Sequence, residues 1–99
     1  MKVYKGTLDP DKGNVFIVTV DGQPLKRGMF EDLLVDCGKF GIYDAFDLSL
    51  SIITDCLGSA DAARGLYKAF FWEFTFHLPL GHWELTETEI RKWVKSYLT

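Results

Sequence analysis

The chain has 99 residues, of which 47% are hydrophobic and 25% charged, and its net charge is −3. This length fits one domain over residues 1–99, and the apolar fraction excludes an intrinsically disordered chain. The negative charge argues against a protein whose main task is to bind a phosphate backbone. We find neither a leader with an apolar stretch nor an apolar run of about 18 residues. We therefore expect a cytoplasmic protein that has no membrane partner.

A small antiparallel sheet of two or three strands is predicted for the N-terminal third. Val3–Leu8 and Val15–Val20 are the first two strands, and the stretch Asp9–Asn14 between them is rich in turn-forming residues. Asp21-Gly22 is a second turn signal. A third strand is predicted over Phe30–Cys37, although a short apolar run of this kind is also compatible with a helix.

The first of three predicted helices spans about Asp44–Leu57. Apolar residues recur on one face at helical spacing, and these are Phe46, Leu50, Ile53 and Leu57. The opposite face is polar and consists of Asp47, Ser51, Thr54 and Asp55. Gly58 is a typical residue for the end of such a helix.

Two further helices follow in the rest of the chain. The second is capped by Ser59 and reaches about Phe74, after which Leu80–Leu85 is predicted to be a connector. Thr86 and Glu89 have the spacing of a capping box at the start of the third helix. One apolar face of the third helix consists of Ile90, Trp93, Val94, Tyr97 and Leu98. The predicted fold class is therefore α+β, with the sheet packed by three C-terminal helices.

The middle helix has two apolar faces. The expected core face consists of Ala63, Leu66, Tyr67, Phe70, Phe71 and Phe74. A second face lies nearly opposite and consists of Gly65, Ala69, Trp72 and Phe76. Either the sheet and another helix cover the two faces, or the second face meets another chain. We expect a homodimer through the second face, because its small residues allow close approach and Trp72 is a natural anchor.

No catalytic residue, cofactor site or metal site is predicted. Glu73, His77 and His82 include both histidines of the chain, but their spacing matches no recognised metal motif. Cys37 and Cys56 are expected to be buried residues or free thiols without a disulfide between them. The dispersed glycines form no phosphate-binding loop.

The basic side of the last helix is the candidate nucleic-acid contact, and it consists of Arg91, Lys92 and Lys95. Cations late in a helix are also explained by the helix dipole, without any nucleic acid. The middle of the chain is acidic, since seven acidic residues and only Lys39 lie between Gly28 and Ala63. Such a surface either is simply solvated or suits a basic protein partner.

Several short segments of the C-terminal half form one pattern, and they are Asp55–Gly58, Ala62–Tyr67, Phe70–Glu73, Leu78-Pro79, Trp83–Thr86 and Glu89-Ile90. This pattern, over about residues 40–90, resembles a family of small uncharacterised proteins of bacteria, archaea and their phages, which is catalogued as a domain of unknown function. Tyr4-x-Gly6 and Val18–Gly22 resemble the start of that family. The segment Phe40–Asp47 departs from the glycine-rich, proline-containing stretch that such proteins often carry before the first helix.

The resemblance implies no known activity and supplies no catalytic residues. The leading hypothesis is a non-enzymatic protein-interaction module that self-associates, with an accessory role in a phage or mobile element as its setting. The alternative is a nucleic-acid-associated accessory protein, and an enzyme of unknown reaction is the third hypothesis.

Overall fold

The structure is a computed structural model that describes residues 1–11, 13–25, 39–41, 45–79 and 81–98. These residues form five strands and four α-helices. The strands are β1 (Val3–Leu8), β2 (Val15–Val20), β3 (Gln23–Pro24), β4 (Lys39–Gly41) and β5 (His82–Thr86). The helices are α1 (Ala45–Leu57), α2 (Ala60–Arg64), α3 (Tyr67–Glu73) and α4 (Glu87–Tyr97), with a 3₁₀ turn at Thr75–His77. The α+β class is therefore confirmed.

The sheet is antiparallel, with the order β3-β2-β1-β5, and β4 also pairs with β2. The predicted hairpin of β1 and β2 is confirmed, and the turn after β2 uses positive φ angles at Asp21 and Gly22. The Asp21 carboxylate also accepts a hydrogen bond of 2.9 Å from the Val3 backbone N–H. The strand predicted over Phe30–Cys37 lies outside the described residues.

The connector predicted over Leu80–Leu85 is wrong, because β5 begins at His82 and pairs with β1 from Val3 to Thr7. The sheet is thus completed by a segment from the C-terminal half. Trp83 and Leu85 are buried while Glu84 between them is exposed, which is the alternation of a half-buried strand. The segment is only five residues long, so this alternation is a weak signal in the sequence alone.

The first helix, α1, is buried on more than its apolar face. Leu50 and Ile53 are buried as predicted, but so are Asp47 and Ser51 from the predicted polar face. The Ser51 hydroxyl donates to the Asp47 backbone carbonyl at 2.8 Å, so its polar group is satisfied within the helix. The predicted polar face is therefore not exposed to solvent at Asp47 and Ser51, since α1 packs against the other helices and β4.

The continuous middle helix predicted from Ser59 to Phe74 is interrupted. α2 ends at Arg64 and α3 begins at Tyr67. The Leu66 backbone N–H bonds the carbonyl only three residues earlier, which is a 3₁₀-type bond that tightens the end of α2. The predicted cap is confirmed, because the Ser59 hydroxyl accepts from the Ala62 N–H. The described residues from 45 onward therefore form four α-helices rather than the three predicted.

The last helix, α4, begins as predicted. The Thr86 hydroxyl accepts from the Glu89 backbone N–H at 3.2 Å, which is the predicted cap, and it donates to the Glu89 carboxylate at 3.1 Å. Ile90 and Val94 are buried, whereas Tyr97 at the end of the predicted apolar face is 54% exposed and stacks on Trp93.

The core lies between the inner face of the sheet and the helices. Its buried apolar side chains from the sheet are Tyr4, Val18, Phe40, Trp83 and Leu85, and those from the helical layer include Leu50, Ile52, Ile53, Phe70 and Ile90. Among the described helices, none is long and apolar enough to cross a membrane.

Candidate functional site

Four side chains form a continuous patch on the helices, which we call the aromatic surface: Phe46, Phe71, Trp72 and Phe76. Phe71 is central, with its ring centroid 4.4 Å from Phe46, 5.0 Å from Trp72 and 6.0 Å from Phe76. Trp72 and Phe76 are 5.2 Å apart. Phe46 is 46% exposed, and Trp72 and Phe76 are each 59% exposed. A contiguous apolar patch on a small domain is often a functional surface.

The end of α3 brings these rings together. The Phe74 N–H bonds the Phe70 carbonyl at 2.8 Å, and the chain then tightens so that the His77 N–H bonds the Phe74 carbonyl at 3.1 Å. This 3₁₀ turn has about three residues per turn. It keeps Phe76 beside Trp72 instead of letting the chain leave the helix.

The four residues of the second face predicted on the middle helix do not form one continuous surface. Trp72 and Phe76 are exposed and in contact, Ala69 is half-buried, and Gly65 is exposed in the turn between α2 and α3. Because the helix is interrupted there, helical spacing does not carry over from Gly65 to Trp72. That this face meets another chain stays a prediction.

Helical spacing predicts Phe46 and Phe71 on core faces, whereas both belong to the aromatic surface. A signal for Phe71 was available, because Phe70, Phe71 and Trp72 are consecutive. Consecutive residues of a helix are about 100° apart, so three of them cannot all face one core. Nothing in the sequence indicated Phe46, whose exposure depends on where α3 packs against α1.

A recess of about 260 Å³ opens beside the aromatic surface, between the sheet and the helices. The described residues that line it are Phe16, Gly41, Ala45, Leu48, Phe71, Thr75, Phe76, Leu78 and Trp83. Phe71 and Phe76 therefore belong to both the recess and the aromatic surface. None of these described lining residues is charged, so the recess suits an uncharged, apolar group.

A pair of hydroxyl groups holds one wall of the recess in place. The Ser49 hydroxyl donates to the Ala45 carbonyl at 2.7 Å and lies 2.6 Å from the Thr75 hydroxyl. Since Ser49 has one hydroxyl proton, we infer that Thr75 donates to Ser49. This buried bond ties the 3₁₀ turn to α1, and it fixes the position of the recess wall.

The basic residues of α4 have unequal roles. The Arg91 guanidinium donates to the Cys56 carbonyl at 2.8 Å, and Lys2 donates to the Asp55 carbonyl at 3.3 Å. Both cations therefore lie at the C-terminal end of α1, which has no basic residue in its own last turn. Cations at this end bond the last carbonyl groups of the helix, which have no partner within the helix, and they complement the helix dipole. Lys92 and Lys95 are exposed. The nucleic-acid contact of these three residues stays a prediction, and the Arg91 guanidinium already bonds the Cys56 carbonyl within the fold.

A buried polar contact joins β1 to the end of α1. The Tyr4 hydroxyl donates to the Asp55 carboxylate at 2.7 Å, and Lys2 contacts the same carboxylate oxygen at 3.3 Å. Burial, reinforced by the bond to Asp55, raises the pKa of the Tyr4 phenol far above its ordinary value. Burial likewise raises the pKa of the Cys56 thiol. Cys56 is thus buried as predicted, while Cys37 lies outside the described residues.

These two shifts predict a loss of stability at alkaline pH. Both pKa values are raised in the folded state, so the unfolded chain releases these protons first. The contribution of the two raised pKa values to the free energy of unfolding is complete below the pKa values of the unfolded chain, which are about 8.5 for Cys and about 10 for Tyr. It is lost as the pH rises above them. Tyr4→Phe should reduce the slope above about pH 10 by up to about 1.4 kcal/mol per pH unit.

Urea unfolding from about pH 8 to about pH 11 measures this slope. Tyr97→Phe, which makes the same substitution at an exposed tyrosine, is the matched control. Equal slopes for Tyr4→Phe and the parent would contradict the prediction.

The histidines lie apart from any cluster of potential ligands. His77 makes an edge contact with the Phe76 ring at 5.4 Å, and His82 lies exposed on β5. In the part of the chain that the structure describes, no group of three His, Cys, Asp or Glu residues is arranged to hold a metal ion.

The fold and the site define a small α+β domain with an aromatic surface beside an apolar recess. Residues 4–96 match the model of a family of unknown function, DUF6166, and the chain therefore belongs to that family. Membership in an uncharacterised family was predicted from the sequence and is confirmed to that extent. A comparison with curated proteins and one with solved structures found no match.

Proposed function

We propose that the protein is a non-enzymatic, cytoplasmic interaction module that self-associates through the aromatic surface. The observation that carries this proposal is the continuous contact of four rings, three of which are about half exposed or more. Large aromatic side chains are enriched among the residues that dominate binding energy at protein interfaces.

The two sides of α3 explain why this surface is not simply part of the core. Phe70 is fully buried and Trp72, two residues later, is 59% exposed. Both faces of the helix are thus apolar, but the domain covers only one of them. A helix that is apolar on two sides is stabilised when a second partner covers the other side.

Local charge is compatible with a second copy as the partner. Lys68 and Glu73 of α3 are both exposed and carry opposite charges, and Arg64 pairs with Asp61 at 3.1 Å. A twofold dimer brings the same patch of each copy together, so a patch of mixed charge avoids the repulsion of a single-sign surface.

The two groups with raised pKa values lie away from the recess. Tyr4 and Cys56, whose pKa values are raised, are enclosed by the core and do not line the recess. An accessory role in a phage or mobile element is part of the proposal and is supported by the sequence resemblance alone.

Trp72→Glu is expected to weaken the dimer by about 2 kcal/mol or more, which is roughly 30-fold in Kd. The reason is that a carboxylate would lose its hydration in an apolar interface. Sedimentation over a concentration series measures the dimer. Leu98→Glu is the matched control, because Leu98 is 68% exposed just after the end of α4 and is not part of the aromatic surface. Equal effects of the two variants would contradict the proposal, as would a parent that stays monomeric.

Gly65→Glu tests how far the interface extends toward α2. An added Cβ at Gly65 would meet, among the described residues, only the Ala62 carbonyl oxygen at an ordinary contact distance of 3.7 Å, and Gly65 is exposed, so the monomer should fold normally. If the interface includes Gly65, this variant should dissociate without unfolding. Circular dichroism and sedimentation separate the two effects, and an unfolded variant would place Gly65 in the core instead.

A further inference from the structure

Resting on the self-association proposed above, we infer that Trp72 of each copy inserts into the recess of the other. A protruding ring and an apolar recess lie side by side on the same face of each molecule. Phe71 and Phe76 line the recess and also contact Trp72, with centroid distances of 5.0 and 5.2 Å. Each copy therefore presents Trp72 at the rim of its own recess, as a reciprocal contact about a twofold axis requires.

The size and chemistry of the recess fit an indole ring. A dry cavity of about 150 Å³ accepts a benzene molecule, and the recess here is larger, at about 260 Å³. Its described lining carries no charged side chain. Trp72 is an uncharged ring that is largely in water in the single copy, so one contact would cover an exposed ring and fill a recess.

The area of the patch favours insertion over contact between the rings alone. An aromatic side chain offers about 150–250 Å², so three rings that are roughly half exposed contribute about 300 Å² per copy. A stable interface buries about 800 Å² per partner. Ring-to-ring packing would fall well short of this value. Insertion adds the walls of the recess and the flanking surface of α3, and thereby brings the contact closer to that size.

A pair of complementary variants tests the insertion. Trp72→Ala removes the inserting ring and keeps the recess, whereas Ala45→Phe fills the recess and keeps the ring. Each variant alone should associate at least about 30-fold more weakly than the parent. An equimolar mixture can form a heterodimer with one intact insertion, so it should associate more tightly than either variant alone. Sedimentation of the separate and mixed proteins, with circular dichroism to check folding, gives the readout. Leu78→Trp is the second recess-filling variant if Ala45→Phe does not fold.

The outcomes separate this inference from the proposed function. A dimeric parent whose Ala45→Phe and Leu78→Trp variants dimerise normally would overturn the insertion and leave self-association standing. Single variants that are monomeric and do not associate when mixed would also overturn it. A monomeric parent would overturn both proposals. It would favour an apolar segment of a different chain as the group that binds in the recess.

Discussion

Phe70→Ala is expected to lower the free energy of unfolding by about 3–5 kcal/mol. Phe70 is fully buried, and its ring packs against Phe74 at 4.9 Å and Trp93 at 5.9 Å. The substitution removes most of an aromatic side chain and leaves a cavity between α3 and α4. Such a loss is a large share of the stability of a domain this small. Urea unfolding of the parent and the variant measures it.

Trp72→Ala is the matched control on the same helix. Because Trp72 is 59% exposed but contacts two rings of the aromatic surface, its truncation should lower the stability of the monomer by about 1 kcal/mol, well below the loss for Phe70→Ala. Both variants should be measured at low protein concentration, because association would add to the apparent stability. A loss as large as that of Phe70→Ala would mean that the aromatic surface is part of the core.

Gly6→Ala is expected to lower the free energy of unfolding by about 1–3 kcal/mol, although alanine usually suits a strand better than glycine. Gly6 on β1 lies opposite Trp83 on β5, and an added Cβ would overlap the Trp83 indole ring. Trp83 is only 4% exposed, so the ring has little room to move. The indole N–H is buried and finds no hydrogen-bond partner among the described residues.

Gly13→Ala in the β1–β2 turn is the control, because an added Cβ there meets nothing within 4 Å. It should be neutral or slightly stabilising. The double variant Gly6→Ala with Trp83→Leu should lose less than the sum of its two single variants, since the smaller side chain makes room for the added Cβ. Strict additivity in thermal or urea unfolding would show that the two positions are not coupled by this contact.

These contacts also give physical meaning to the residues that carry the family resemblance. Tyr4 bonds Asp55, and Gly6 lies under Trp83, so residues far apart in the chain are paired in the fold. Gly58 ends α1 with a φ of 69°, a left-handed conformation that favours glycine. Several residues of the pattern are therefore explained by the packing of the domain.

The features that the sequence predicted correctly are those with local causes. The strands Val3–Leu8 and Val15–Val20 have the predicted bounds, and the caps at Ser59 and Thr86 form as predicted. Turn residues, caps and apolar periodicity act within a few residues, so they can be recognised without knowing the rest of the fold.

Tertiary structure alone decided the remaining features. β5 is a strand because β1 offers it a partner, and α1 is buried at Asp47 and Ser51 because it packs against the other helices and β4. Arg91 bonds a carbonyl of α1 instead of remaining a solvated cation of α4. The aromatic surface likewise exists because the packing of α3 against α1 brings Phe46 to Phe71, residues 25 positions apart. Contacts between distant segments depend on how whole elements pack, and no local pattern of residues encodes that arrangement.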